Sequence, residues 1–280
     1  MNSITLKNIR KYPLLITSLV IMTVMIAIAL IGYFTLSEDP NYINLSYINR
    51  RPSRQFWAGT DGRGRNRIVG LILGLGNSLR VAFLSAGLST FLGMGLGALG
   101  GFFGGAWDRV VLWFIDLMGI VPSFVFSLAV FSIFYEPGIF EIGLIISLFS
   151  WPQVARLIRS KVMKEREMDY VHASITLGTG KWKILWGQVL PQVYPILIAG
   201  FFMNLVFSIG VETSISYLGF GFPLGTPSIG GMIAGAGNLT FLLHRPWLWA
   251  WPAGSVFLFM LCAHHVGQFL IRLSSPELQK

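Results

Sequence analysis

Hydrophobic positions in this chain come in long unbroken runs, not in the short alternations of half-buried soluble elements. Residues 12–37, 81–107 and 184–211 contain no Asp, Glu, Lys or Arg, and residues 246–271 carry only histidines among titratable groups of that kind. A helix needs about 20 apolar residues to cross a hydrocarbon core about 30 Å thick, so each run suffices. Two further runs are interrupted. Residues 110–134 contain Asp116, and residues 139–158 contain Glu141 ahead of a charge-free core at 142–155. The pattern predicts an all-α integral membrane protein with about six transmembrane helices.

The polar stretches between the runs are equally informative. Residues 37–77 are Arg-rich, with Pro52, Gly59, Gly62 and Gly64, and read as an external loop with a surface-lying piece. In the next span Gly93, Gly97, Gly101 and Gly105 recur every four residues. That spacing places them on one helix face, where small residues let two helices approach closely in lipid. Residues 95–100 also spell GxGxxG, but a dinucleotide fingerprint needs a strand before it, and here a membrane span precedes. Residues 219–238 are too glycine-dense for a regular span. They predict an ordered outer or re-entrant segment near a permeation path, since irregular backbone at membrane depth survives only beside protein or water. Residues 159–191 are long and charged. Glu165, Glu167 and Asp169 suit a helix start, 171–177 two short turns, and Gly178 a stop in the left-handed region. An amphipathic helix resumes at 181–189, and Pro191 opens the next span.

Composition sharpens this picture. The chain is 54% hydrophobic and 12% charged over 280 residues, about half the charged fraction of a soluble domain. The net charge of +9 marks membrane topology and anionic headgroups, not nucleic acid. With the N-terminus inside, the inner segments hold Lys7, Arg10, Lys11, Arg109, Arg156, Arg159, Lys161, Lys164, Arg166, Lys181, Lys183, Arg272 and Lys280. The outer ones hold Arg50, Arg51, Arg54, Arg63, Arg65, Arg67 and Arg245. The bias places both termini in the cytoplasm, against the arginines of the first outer loop, which Glu38, Asp39 and Asp61 only partly offset. The basic N-terminal residues precede a run too long for a signal peptide, so the first helix is expected to be retained. Cys262 is the one cysteine; it forms no disulfide within the chain and reads as apolar filler.

Candidate chemistry is sparse. Asp116, Glu212 and His264 are polar groups in spans and therefore candidates for a translocation path, because intramembrane charges face a cavity or pair with a base. Asp116 is expected to pack with Arg109. His264 and His265 are adjacent, diverge by about 100° on a helix, and do not make a metal pair; no metal site is expected. Trp247, Trp249 and Trp251 read as an interfacial belt, and Pro122, Pro152 and Pro252 as kinks.

The stretch 170–178 (Tyr-Val-His-Ala-Ser-Ile-Thr-Leu-Gly), followed by Gln188-Val189-Leu190-Pro191, resembles the EAA loop of binding-protein-dependent ABC importer permeases. The family pattern is Glu-Ala-Ala, three residues, Gly, then a hydrophobic-x-Leu-Pro ending at matching distance. Residues 59–65, 100–105 with Asp108-Arg109, Asp116 with Pro122, and 212–221 resemble four further blocks of the peptide-type branch, which carries oligopeptides, dipeptides or nickel. The resemblance covers the chain from Gly59 onward. His172 stands where the family has Glu and Ser174 where it has Ala. Asn66 stands near an expected aspartate, and Val266-Gly267-Gln268 replaces Leu-Gly-Asp.

The resemblance implies a bacterial inner-membrane permease whose path is shared with a second, homologous permease. Its cargo would be peptides or related small solutes. His172, Ala173, Ser174, Leu177 and Gly178 would form a cytoplasmic coupling helix between spans four and five, seated on one of two ATP-binding subunits. An extracytoplasmic solute-binding protein would deliver cargo. The chain would bind no cofactor itself, with ATP and Mg in the partner subunits; it contains no GxxxxGK[ST] phosphate loop. The implied division is an N-terminal helix and external loop at 1–76 and a permease domain at 77–275, with the coupling loop at 159–191. A secondary transporter, or a membrane enzyme using His264 or His265 with Glu212 or Asp116, are the alternatives.

Overall fold

The computed structural model describes residues 12–36, 39–120, 122–134, 136–237 and 243–274. Lys7, Arg10, Lys11, Glu38, Asn238 and Lys280 lie outside the described residues. Among those described, five helices are long and apolar enough to cross a bilayer, and a bent pair brings the number to six. The fold is all-α; its one β feature there is an isolated antiparallel bridge between Thr60 and Asn66.

Helix α1 (Pro13–Thr35) starts on a proline, whose missing N–H is harmless at a first turn. Helix α2 (Arg67–Phe103) is capped by Asn66, which accepts the Ile68 amide. Its 37 residues extend about 55 Å at 1.5 Å each, well beyond the hydrocarbon. The apolar run beginning at 81 marks only the lipid-deep portion, so residues 67–77, expected as loop, are already helical. Helices α3 (Gly105–Ile120) and α4 (Ser123–Phe131) meet at 80°. The third run is thus not one straight span. Pro122 sits at the break and disfavours helical geometry in the residue before it.

Helix α5 (Ile139–Arg166) starts where Glu141 accepts the Gly138 amide at 3.0 Å and carries Pro152 inside. The short α6 (Asp169–Thr176) follows, then α7 (Lys181–Ile184), a π turn (Leu185–Val189) and α8 (Leu190–Tyr217). Pro191 does not begin a separate span, as the sequence suggests. Residues 181–217 form one continuous apolar helix, and the π turn, with the Leu190 amide reaching back to Leu185 O, accommodates the proline's missing donor. A short α9 (Ile229–Ala234) and the long α10 (Trp247–Ser274) complete the chain.

The central contact is α2 against α5, and glycine makes it possible. A Cβ on Gly93 would lie 2.7 Å from Val154 Cβ, one on Gly97 2.5 Å from the Ala155 carbonyl oxygen, and one on Gly101 2.7 Å from the Arg159 carbonyl oxygen. The two backbones touch where side chains would otherwise intervene. Gly105 is not part of this face, because α2 ends at Phe103 and Gly105, at φ +61°, starts α3. Around this contact lie two larger apolar clusters. One joins α1, α2, α8, α9 and α10 through residues such as Leu79, Ile209 and Phe259; the other joins the inner ends of α2, α5 and α8 with Val171 of α6.

Filling the α2–α5 contact is expected to destabilise the bundle. Gly97→Leu forces overpacking that costs about 1–3 kcal/mol, whereas Gly95→Leu, at a site with nothing within 4 Å, is tolerated. Thermal unfolding of the two purified variants checks this; equal midpoints would contradict it.

Candidate functional site

The buried polar groups are concentrated along one seam. Ser78, Ser85 and Ser89 of α2 face Asn204, Ser208, Glu212 and Ser216 of α8, and all of them are buried. The Asn204 amide donates to Ser89 Oγ, and Ser208 Oγ lies 3.1 Å from Ser85 Oγ. Ser216 Oγ donates to a Glu212 carboxylate oxygen at 2.8 Å. Spacing explains the alignment: serines seven and then four apart on α2, and polar residues four apart on α8, each form a stripe. In lipid such bonds join helices that hydrophobicity cannot distinguish from the solvent. Single serines in apolar runs look innocuous, so the seam was not legible residue by residue; the four-residue recurrence from Asn204 to Ser216 was the available signal.

The seam opens outward. Ile229 N, at the start of α9, donates to Ser78 Oγ at 3.3 Å, and Asn77 Nδ2 donates to the Pro227 carbonyl at 2.9 Å. Ser228 caps α9 through the Gly231 amide. The glycine-dense segment is therefore ordered and wedged between α2 and α8. It borders a cleft of about 890 Å³ whose walls include Asp61, Arg65, Arg67, Phe131, Ser216 and Met232. The arginines of the first loop are partly explained here. Asp61 accepts the Arg63 and Arg65 amides at 2.8 and 3.0 Å and the Arg65 guanidinium at 2.7 Å. Arg67 is buried and reaches the carbonyls of Leu248 and Met232. Arg80 stacks 3.8 Å over the Tyr33 ring. Arg67 thus ties the end of the loop to α9 and α10 and Arg65 is engaged within the loop, while Arg50, Arg51, Arg54 and Arg63 are exposed. Trp247 packs against Gly59, whose φ of +71° and close neighbours leave no room for a side chain.

At the opposite end, residues 159–191 form a stiff elbow. Val171 of α6 is buried in the inner apolar cluster. Ser174 Oγ is 2.9 Å from Gln188 Oε1, and Trp182 packs on Phe103 with ring centroids 4.9 Å apart. Arg166 bonds the Phe102 carbonyl at 3.2 Å, tying the elbow to the end of α2. Tyr170 donates to Glu165 Oε2 at 3.1 Å; burial, reinforced by that carboxylate, pushes its hydroxyl up to about 12, so it remains a donor. Gly178 ends the element at φ +77°. The outer side of α6 is uncovered: His172, Ala173, Ile175 and Leu177 are exposed, Leu177 by 85%. His172 lies 3.8 Å from Glu167.

The three span candidates are held apart by different partners. Glu212 is wholly buried in the seam, His264 is exposed on α10, and Asp116 is exposed on α3. Asp116 does not pack with Arg109. Seven residues separate the two, about 10 Å along a helix, while α5 brings Arg156 Nη2 within 3.4 Å of Asp116 Oδ1. The principal α3–α5 ion pair is instead Asp108 with Arg159, at 2.5 and 2.7 Å. Its holding together of two helices, through residues 51 apart, has no local signature. Among the described residues no His, Cys, Asp and Glu cluster suited to a metal is present.

If the Asn204–Ser89 bond is direct, Asn204→Leu costs about 1 kcal/mol and Ser89→Ala adds little in that background. A double-mutant cycle on detergent-solubilised protein checks this; strictly additive losses would contradict the bond.

Comparison with known proteins agrees with this architecture. Residues 89–280 match the family model of the binding-protein-dependent transport system inner membrane component. The chain is 31% identical over 274 residues to the oligopeptide transport system permease protein OppC of Lactococcus lactis subsp. lactis, covering 97% of this chain and 93% of that protein. It is 31% identical to OppC of Mycobacterium tuberculosis over 78% of this chain and 75% of the relative. In fold it resembles a chain of the MetNI methionine ABC transporter in inward-facing conformations, with TM-score 0.57 and 14% identity over 74% of this chain and 96% of that one. The chain thus belongs to the binding-protein-dependent inner-membrane transport family and is a multi-pass permease component of a peptide-type ABC importer.

Proposed function

We propose that this permease pairs with a second, homologous one to enclose a path for peptides or related small solutes, driven by two cytoplasmic ATP-binding subunits and supplied by an extracytoplasmic solute-binding protein. Both termini lie in the cytoplasm in this reading, as the distribution of Lys and Arg supports. ATP and Mg belong to the partner subunits, and this chain takes no cofactor and catalyses no reaction of its own. The similarity to oligopeptide transport permeases supports peptide cargo.

The observation that carries the proposal is the cytoplasmic elbow. Helix α6 is held on one side by Val171 in the inner cluster of α2, α5 and α8 and by Ser174 against Gln188 of the π turn, while Arg166 at the end of α5 ties that helix to α2. The other side of α6 presents Ala173 and Leu177, both exposed. An exposed apolar element rigidly joined to three spans transmits force: a partner that grips it moves the spans. Small Ala173 permits close seating, and Gly178 turns the chain sharply back toward α7. To carry a two-state path from 1:99 to 99:1, the motor must favour one state by about 5.5 kcal/mol, a load within reach of nucleotide-driven closure. The outer cleft beside α9 is then the side from which solute enters.

Gly178→Ile tests the elbow. A β-branched residue at positive φ costs about 1–2 kcal/mol and swings Leu177 off its partner. ATP hydrolysis by the assembled transporter is expected to persist, with uptake reduced about tenfold and membrane insertion intact. Undiminished uptake would sink the coupling assignment.

A further inference from the structure

The exposed side of α5 changes character along its length. Near its start it shows Phe140, Leu144 and Leu148, side chains suited to lipid. Between Gln153 and Ser160 the exposed positions are Gln153, Arg156 and Ser160. These are three and four residues apart and so share one face. Asp116 of α3 meets this polar stripe, with Oδ1 3.4 Å from Arg156 Nη2 and the two side chains 68% and 57% exposed. Gly119 keeps the space beside the guanidinium open, since even a Cβ there would lie 4.0 Å from Arg156 Nη2.

The neighbouring Asp108–Arg159 pair gives the contrast. It joins the same two helices by two short bonds and is only 19% exposed on each side. That pair braces α3 against α5. The Asp116–Arg156 pair is long, single and open, and an open pair contributes little to stability. Charges within a span face a bundle interior or water, or pair with one another, and this pair still leaves more than half of each side chain open. The face bearing Gln153, Arg156, Ser160 and Asp116 therefore looks into water or onto a charged ligand.

We propose that Asp116 and Arg156, flanked by Gln153 and Ser160, form a polar station in the solute path that receives a short peptide with both termini free. Arg156 takes the carboxylate, for which the planar guanidinium fork is matched, and Asp116 takes the ammonium. The mutual pair is exchanged for two pairs with the solute, so no charge is left unpartnered in either state. The proposal rests on the peptide-permease reading above and extends it to specific residues and to solute termini.

The test uses the whole transporter, purified from its own membranes with its partner subunits and binding protein and reconstituted in vesicles. Uptake of trialanine, N-acetyl-trialanine and trialanine amide is compared. Asp116→Asn is expected to lower trialanine uptake about tenfold, the scale of one charge-assisted bond, while sparing the acetylated peptide. Arg156→Gln is expected to do the same while sparing the amide. Equal losses for all three peptides, or no loss, would overturn the station and leave the permease reading standing. Wild-type transporter that carries no peptide at all would overturn the peptide reading itself. A second measurement is independent of uptake. In a Cys262→Ala background, Gln153→Cys and Ser160→Cys should react with a membrane-impermeant cationic thiol reagent, Leu144→Cys should not, and trialanine should slow the reaction at Gln153→Cys. An unreactive Gln153→Cys would mean that a second permease covers this face, and the proposal would fall.

Discussion

Hydrocarbon offers no hydrogen bonds, and that constraint organises this molecule. Every polar atom within the spans must be answered by the protein or by enclosed water. The serine, asparagine and glutamate side chains of α2 and α8 answer one another along a buried seam. The break between α3 and α4 and the π turn before Pro191 are backbone solutions to the same demand, placed where proline removes a donor. Helix association then follows from fit: the glycine face of α2 brings its backbone onto α5 because no hydrophobic force would otherwise select that partner.

The mechanical picture follows from what is rigid and what is bare. Helices α2, α5 and α8 are joined by backbone contact, by the polar seam and by the inner apolar cluster. The elbow carrying α6 is held to them through the inner cluster, through Arg166 on the Phe102 carbonyl and through Ser174 on Gln188, while Ala173 and Leu177 on its far side are exposed among the described residues. In the proposed mechanism, displacement at the elbow would reach the cleft through stiff elements, among them α8, which runs from the elbow to Ser216 at the cleft wall.

Much of this was legible in the sequence, for definite physical reasons. Four long apolar runs marked four spans and the interrupted run at 139–158 a fifth, while the run at 110–134 proved to be the bent α3–α4 pair; the left-handed stop at Gly178 followed from the residue itself. Four-residue glycine spacing marked the α2 face, although it overran the helix by including Gly105. What escaped were relations between distant elements. Asp116 was assigned a neighbour on its own helix, but its partner is 40 residues away on α5. The Asp108–Arg159 brace was missed for the same reason. Of the six arginines of the first loop that look like a topological misfit, Arg65 and Arg67 are bonded to Asp61 and to backbone carbonyls. A one-dimensional pattern records which face is apolar and is silent on which helix will lie against it.

The central claim is that the bare side of α6 is gripped by a nucleotide-dependent motor. Site-directed cross-linking from Leu177, introduced as Leu177→Cys in a Cys262→Ala background within native membranes, tests it most directly. The account predicts an adduct with an ATP-binding subunit whose yield changes when nucleotide is added. Solute uptake by the isolated chain, with no such adduct in the membrane, would contradict it.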